Sequence, residues 1–215
     1  MNISKFNINP SDSAAVENAF QSVKPEQSSC CNWKEQFPYS PEVSFKMFHT
    51  GEFLMLRFNV NERYTLAQVT EDNGEVWTDS CVEFFIALDD KGYYNFETNC
   101  IGSMLLGWRK AVNEGVKMAS KEILSSVKRV SSLPFIPFEE RVDEINSWNL
   151  TLTIPASALF LHNLSSWDNL NAKINLYKCG DNLSHPHFLS WKPISTPKPN
   201  FHCPKFFSPV ILETL

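Results

Sequence analysis

Apolar and polar residues alternate along this chain in short bursts, the period of half-buried strands. Trp148, Leu150, Leu152 and Ile154 interleave with Asn149, Thr151 and Thr153 until Pro155 ends the run. Val43–Met47 and Phe53–Phe58 flank His49-Thr50-Gly51-Glu52, which predicts a hairpin. Asn73-Gly74 predicts a turn just ahead of Trp77. Cys81–Leu88 predicts a strand ended by Asp89-Asp90-Lys91-Gly92, with Tyr93–Gly102 as its returning partner. Further strands are expected at Ile174–Cys179, closed by Gly180-Asp181, and at Val210–Leu212. Residues 109–126 read either as a helix over Ala111–Ser125 or as a long loop, because Gly115 interrupts a weak periodicity. The residues before about Pro41 read as a polar lead-in with a turn of helix at Ala14–Phe20.

Many short strands with turn punctuation and no regular alternation with helices predict an all-β fold. The expected architecture is a single two-sheet antiparallel β-sandwich, immunoglobulin- or jelly-roll-like, with long loops. The 215 residues suffice for one such domain over 1–215, with 1–40 as its lead-in segment.

Composition narrows the function classes. At 43% hydrophobic and 20% charged the chain is globular, and aromatics at 13%, with 17 Phe, suit a strand-rich protein. A net charge of -5 with no basic stripe argues against a nucleic-acid partner. No apolar run approaches the length of a membrane span, so no membrane partner is expected. Met1–Pro10 lacks an apolar signal core, which taken literally predicts a cytoplasmic protein. Six cysteines (Cys30, Cys31, Cys81, Cys100, Cys179, Cys203) show no disulfide-framework spacing and are expected as free thiols.

The familiar catalytic and phosphate-binding motifs are absent from the sequence. Asp79 and Glu83 fall on one side of a strand and Glu139-Glu140 are adjacent, so a glycoside hydrolase with paired carboxylates is one alternative. Cys179, His185, His187, His202 and Cys203 are zinc-ligand types at no standard finger spacing, and a loop shaped by His185-Pro186-His187 explains them more simply. A haem-binding sandwich would need a methionine, Met55 or Met104, opposite His187. The aromatic placement is more specific. Trp77 and Trp191 each end an apolar run, and two loop indoles can clamp the flat face of a sugar, although core burial is the usual fate of a tryptophan. Asn95, Glu97 and Asn99 share one face of their strand and offer groups that bind hydroxyl pairs, or else form a solvated face.

Three runs carry a resemblance: Trp77-Thr78-Asp79-Ser80-Cys81-Val82-Glu83-Phe84-Phe85-Ile86, Tyr93–Asn99 and Phe188-Leu189-Ser190-Trp191. In this order, over roughly residues 40–213, the chain resembles carbohydrate-binding module family 9. It is more closely similar to the stand-alone family-9-like proteins of gut-type bacteria, through Asn175–Asp181 and Pro199-Asn200-Phe201-His202-Cys203-Pro204. The resemblance implies a non-catalytic β-sandwich that binds glucose- or xylose-type mono- or oligosaccharides in polysaccharide catabolism, with glycoside hydrolases as partner enzymes. By position it implies Trp77 and Trp191 as an aromatic clamp, Asn99 as a polar sugar contact and Glu83 as the acid of the tryptophan-bearing strand. Where xylanase-attached modules carry an arginine two residues before that asparagine, this chain has Glu97, and Tyr177 or Lys178 replaces a sugar-contacting glutamine. The expected ligand set is therefore Trp77, Trp191, Asn99, Glu97, Glu83, Tyr177 and Lys178. No cofactor is expected; calcium is implied by the family alone, without a clear motif here.

Overall fold

The computed structural model describes residues 1–110 and 115–214. In chain order the strands are β1 (Asn2–Ile3), β2 (Glu26–Gln27), β3 (Cys30–Cys31), β4 (Glu42–His49), β5 (Phe53–Ala67), β6 (Cys81–Ala87) and β7 (Tyr93–Asn99). They continue as β8 (Met104–Arg109), β9 (Lys117–Met118), β10 (Lys128–Ser131), β11 (Phe138–Pro155), β12 (Asn171–Cys179), β13 (Phe188–Ser190) and β14 (Ser208–Leu212). Two short helices join them, α1 (Ser13–Ser22) and α2 (Lys121–Ser126). One sheet runs β1-β14-β12-β6-β7-β8-β9, with β13 and β3 added at the end of β12. The other runs β10-β11-β5-β4-β2. The two form the expected sandwich. Among the described residues the strands pair antiparallel except β1 with β14, which is parallel, as is the isolated bridge between Lys5 and His49.

Alternation explains the layering. On β6, Val82, Phe84 and Ile86 face the second sheet, as do Tyr94 and Phe96 of β7 and Ile174 and Leu176 of β12. They meet Phe45, Leu54, Leu56, Phe58, Leu150, Leu152 and Ile154, the inward residues of β4, β5 and β11. Trp148 lies in this core, 3% exposed, as its position on an alternating strand predicts. The odd residues of β6 and β12 point the other way. Cys81, Phe85, Tyr177 and Cys179 join Tyr93 and Leu105 in a second apolar layer, roofed by Trp33, Ile194, Phe201 and Phe207.

Two parts depart from the expected elements. The lead-in is integral to the fold: Asp12 caps α1 by accepting from the Ala14 and Ala15 amides, and α1 packs Val16, Ala19 and Phe20 on Phe48 and Met55. Trp33 is buried and donates its Nε1 proton to the Thr196 carbonyl at 2.8 Å. Of residues 109–126, 111–114 lie outside the described residues, and the helical part is α2, beginning after the Ser120 cap. Among the described residues no helix is long and apolar enough to cross a membrane.

A buried ionic group ties the sheets together. Lys178, fully buried between them, sets its Nζ 2.9 Å from Glu62 Oε2 of β5. The same ammonium donates to the Cys179 carbonyl at 2.8 Å and meets His187 Nε2 at 2.7 Å. Glu62 Oε1 accepts from Trp148 Nε1 at 2.7 Å. Burial and the neighbouring Lys178 charge hold His187 well below its usual range, so its neutral ring accepts from Lys178. A buried charge set of this kind is tolerated only when paired and hydrogen-bonded, and this one links β12 of one sheet to β5 of the other.

Candidate carbohydrate-binding site

On the outer face of the larger sheet a cavity of about 300 Å³ opens between the ends of β6, β7 and β8 and the segment over residues 181–202. Trp77, Glu83, Glu97, Arg109, Cys179, Asp181, Phe188, Asn200, Phe201 and His202 line it. Trp77 stands at its side because a one-turn 3-10 helix, Val76–Thr78, follows the Asn73-Gly74 turn and buries Val76, leaving the indole half-exposed. Asn73 takes the positive φ of 60° that this turn requires and asparagine tolerates. The Trp77 carbonyl accepts from the Asp181 amide at 3.2 Å, so the tryptophan loop and the loop after β12 are held together.

The floor is an acid pair. Glu83 and Glu97 are direct cross-strand partners on β6 and β7, both 3% exposed. Burial first, and then the Glu97 charge, raises the Glu83 carboxyl well above the usual carboxylate range. Burial likewise raises Glu97 to about 7, against a hydrogen bond from Asn95 and the charge of Arg109, which act in the opposite direction. Asn95 Nδ2 donates to Glu97 Oε1 at 2.7 Å, and the Asn95 carbonyl oxygen receives Arg109 Nε at 3.2 Å, so one asparagine orients acid and guanidinium together. Cys179 donates its thiol proton to Glu83 Oε1 at 3.1 Å. His202, lowered to about 4 mainly by burial, is a neutral ring beside Tyr93, its Nδ1 3.0 Å from the phenol oxygen.

Of the residues expected to form a ligand site, Trp77, Glu83 and Glu97 come together here. The others do not. Trp191 is 6% exposed and packs edge-to-face on Phe45 inside the sandwich, its Nε1 donating to Glu26 at 3.1 Å. Strand alternation is the reason: on β13 Phe188 looks toward the cavity, so Leu189 and Trp191, the neighbours of Ser190, both turn to the other face and into the core. Asn99 is fully buried and builds the turn after β7, accepting from the Gly102 and Ser103 amides and donating to Asp79 Oδ2 and the Val69 carbonyl. Tyr177 lies beneath the cavity wall, stacked on Phe201 with ring centroids 4.2 Å apart. Lys178 faces the opposite side of the sheet, in the buried ionic group.

Several lining residues were not anticipated. Arg109 brings a guanidinium to the cavity from β8, one strand away from Glu97 on β7. Phe188, Phe201, Asn200 and His202 come from runs whose signal was present, in Phe188–Trp191 and Pro199–Pro204, but whose facing residues could not be told apart. The zinc-type residues of the C-terminal part scatter: His185 stacks on Tyr64, His187 meets Lys178 and His202 meets Tyr93. Met55 packs under α1 and Met104 in the main core, neither in a pocket with His187. Among the described residues the compact metal-ligating group is Cys81, Glu83 and Cys179, whose two sulfurs do not suit calcium. Asp72, which precedes the Asn73-Gly74 turn, accepts from Arg129.

The model of carbohydrate-binding family 9 matches residues 14–212. A solved Bacteroides uniformis ATCC 8492 protein, provisionally assigned to carbohydrate binding, is 44% identical over 99% of this chain and 98% of its own, with a TM-score of 0.92. A family-9 carbohydrate-binding module from Caldicellulosiruptor kristjanssonii, solved with glucose, has a TM-score of 0.59 at 11% identity, covering 99% of this chain and 95% of that one. Its complex with cellotriose has a TM-score of 0.59 at 10% identity, covering 99% and 94%. At such identities those two likenesses are of fold. No curated protein matches the chain. These modules bind and do not catalyse, so the acid pair is not read as hydrolytic machinery. With its two-sheet fold and a family match spanning nearly its whole length, the chain belongs to carbohydrate-binding family 9.

Proposed function

We propose that the chain binds a mono- or oligosaccharide in the cavity on the outer face of the larger sheet, with Trp77 as its stacking platform. One observation carries this reading: a half-exposed indole stands beside a buried acid pair and a guanidinium that are already oriented by Asn95. An indole face offers contact area to the C–H face of a sugar ring at little rotamer cost. Glu83, Glu97 and Arg109 supply the few convergent polar groups that fix its hydroxyls, and Phe188 and Phe201 close the far side. The aromatic residues that share the cavity with Trp77 are Phe188 and Phe201, and Trp191 is not among them. The C. kristjanssonii module binds glucose and cellotriose, which favours gluco-configured sugars for the first trials. The same reading has the chain serving saccharide catabolism alongside glycoside hydrolases.

Isothermal titration with glucose, xylose, cellobiose and cellotriose tests it. Binding should be lost in Trp77→Ala and in Arg109→Met while the unfolding midpoint moves little, since neither side chain is in the main core. Binding that survives both substitutions would place the sugar elsewhere.

A further inference from the structure

The cavity floor holds a second chemistry that sugar recognition does not require. Cys81 and Cys179 are direct cross-strand partners of β6 and β12, so their side chains rise side by side on the cavity face of the sheet. Glu83 stands two residues along β6 on the same face. One ligand atom from each, two Sγ and a carboxylate oxygen, lie within 4.8 Å of one another, and all three residues are buried. A tetrahedral ion with metal–sulfur bonds of about 2.3 Å and metal–oxygen bonds of about 2.1 Å wants its donors roughly 3.5–4 Å apart. The strand pairing already supplies nearly that spacing.

We propose that Cys81, Glu83 and Cys179 form a site for one thiophilic divalent cation, zinc by preference, at the floor of the cavity. Two sulfur donors exclude the hard oxygen-seeking cations and favour zinc, cadmium or cobalt. The ion has a way in, because Glu83 and Cys179 both line the open cavity. Three protein ligands leave a fourth position, directed at the space beside Trp77 and Glu97, for water or a ligand oxygen. Binding displaces the two thiol protons to solvent, together with the carboxyl proton that Glu83 holds in the metal-free protein, with no change of oxidation state. Two thiolates and one carboxylate then exceed the ion's charge by one, and Arg109 on the same cavity wall offsets the excess.

The inference rests on the ligand geometry and not on the sugar reading, although Glu83 is shared between them. Reduced, metal-free protein is titrated with cobalt(II). One equivalent should give sulfur-to-cobalt charge-transfer absorption and the intense visible bands of a tetrahedral ion, both bleached by zinc. Cys81→Ser and Cys179→Ser should lose the charge-transfer band, and Cys203→Ser should keep it. Should a serine variant fail to fold, the wild-type spectrum and a zinc-dependent rise in its unfolding midpoint decide the matter. Weak, octahedral-type cobalt bands, or a charge-transfer band that survives in folded Cys179→Ser, would overturn the site. So would a Cys81–Cys179 disulfide that persists in reduced protein and leaves no thiols to bind. Sugar binding without the cobalt signature removes only the metal site; the signature without sugar binding removes only the saccharide reading.

Discussion

Glu97→Gln removes one ionisable group from the buried acid pair and leaves its shape nearly intact. In the folded protein Glu97 holds its proton up to about 7, against 4.5 for the free side chain. The sign follows from proton linkage: the folded state binds the proton more tightly than the unfolded state. Stability from this group is therefore fully present below pH 4.5 and is lost as pH rises toward 7. A shift of this size corresponds to about 3 kcal/mol, at 1.36 kcal/mol per pH unit, and Glu97 is buried enough that solvent screening takes little from it. Glutamine keeps an oxygen for Asn95 and never ionises, so Glu97→Gln should gain on wild type across that interval and hold the gain above pH 8. It should also relieve Glu83 of its like-charged neighbour. Urea unfolding of both proteins at pH 5, 6, 7 and 8 measures the difference, which cancels the titrating groups that do not sense Glu97 and leaves Glu97 with its partner Glu83. A stability difference that stays flat from pH 5 to 8 would refute the argument. A difference that shrinks with rising pH would refute it more strongly.

Trp191→Ala should cost about 3–5 kcal/mol of folding stability by urea titration, on the scale of Trp148→Ala, because both indoles are core. Lys178→Met leaves Glu62 charged and unpaired between the sheets and should cost about 3–5 kcal/mol. Adding Glu62→Gln, which keeps an acceptor for Trp148, should recover much of that loss in the same assay. A Cβ at Gly92 would run into the Trp108 ring and the Arg109 carbonyl, so Gly92→Ala should lower the melting temperature. By displacing Arg109 it should also weaken any sugar affinity measured by calorimetry.

Alternation made most of the strands legible, because a half-buried strand writes its facing into every second residue. It also placed Asn95 and Glu97 correctly on one face of β7. It failed where both faces are buried. The Met104-Leu105-Leu106 start of β8 is apolar throughout, so neither that strand nor the Arg109 at its end stood out. Lys178 looked like a ligand contact because the resemblance matches it, or Tyr177, to a sugar-contacting glutamine, but its partner Glu62 lies on a strand far away in sequence. Trp191 and Phe188 sit in one short run, and nothing local says which of them looks outward. Asn99 resembled a sugar contact, yet its amide is consumed by the turn it builds. The polar character of residues 1–40 hid how few anchors, chiefly Phe20 and Trp33, are needed to pin a segment to the sandwich.

The central pairing of the larger sheet, β6 with β12, joins an early strand to a late one, and the cavity inherits that arrangement. On a ribosome, a nascent chain that has emerged through β11 carries Trp77, both acids and Arg109, but only β7 flanks β6 and its other edge has no partner. The half-made sheet then presents β6, a central strand of the finished protein, as an open edge, a state open to misassembly with other chains. Pairings so distant in sequence also fold slowly. Ligand capture would therefore wait for β12 and the segment after it, and a pulse-labelled chain would acquire it only after residues near 202 had left the exit tunnel.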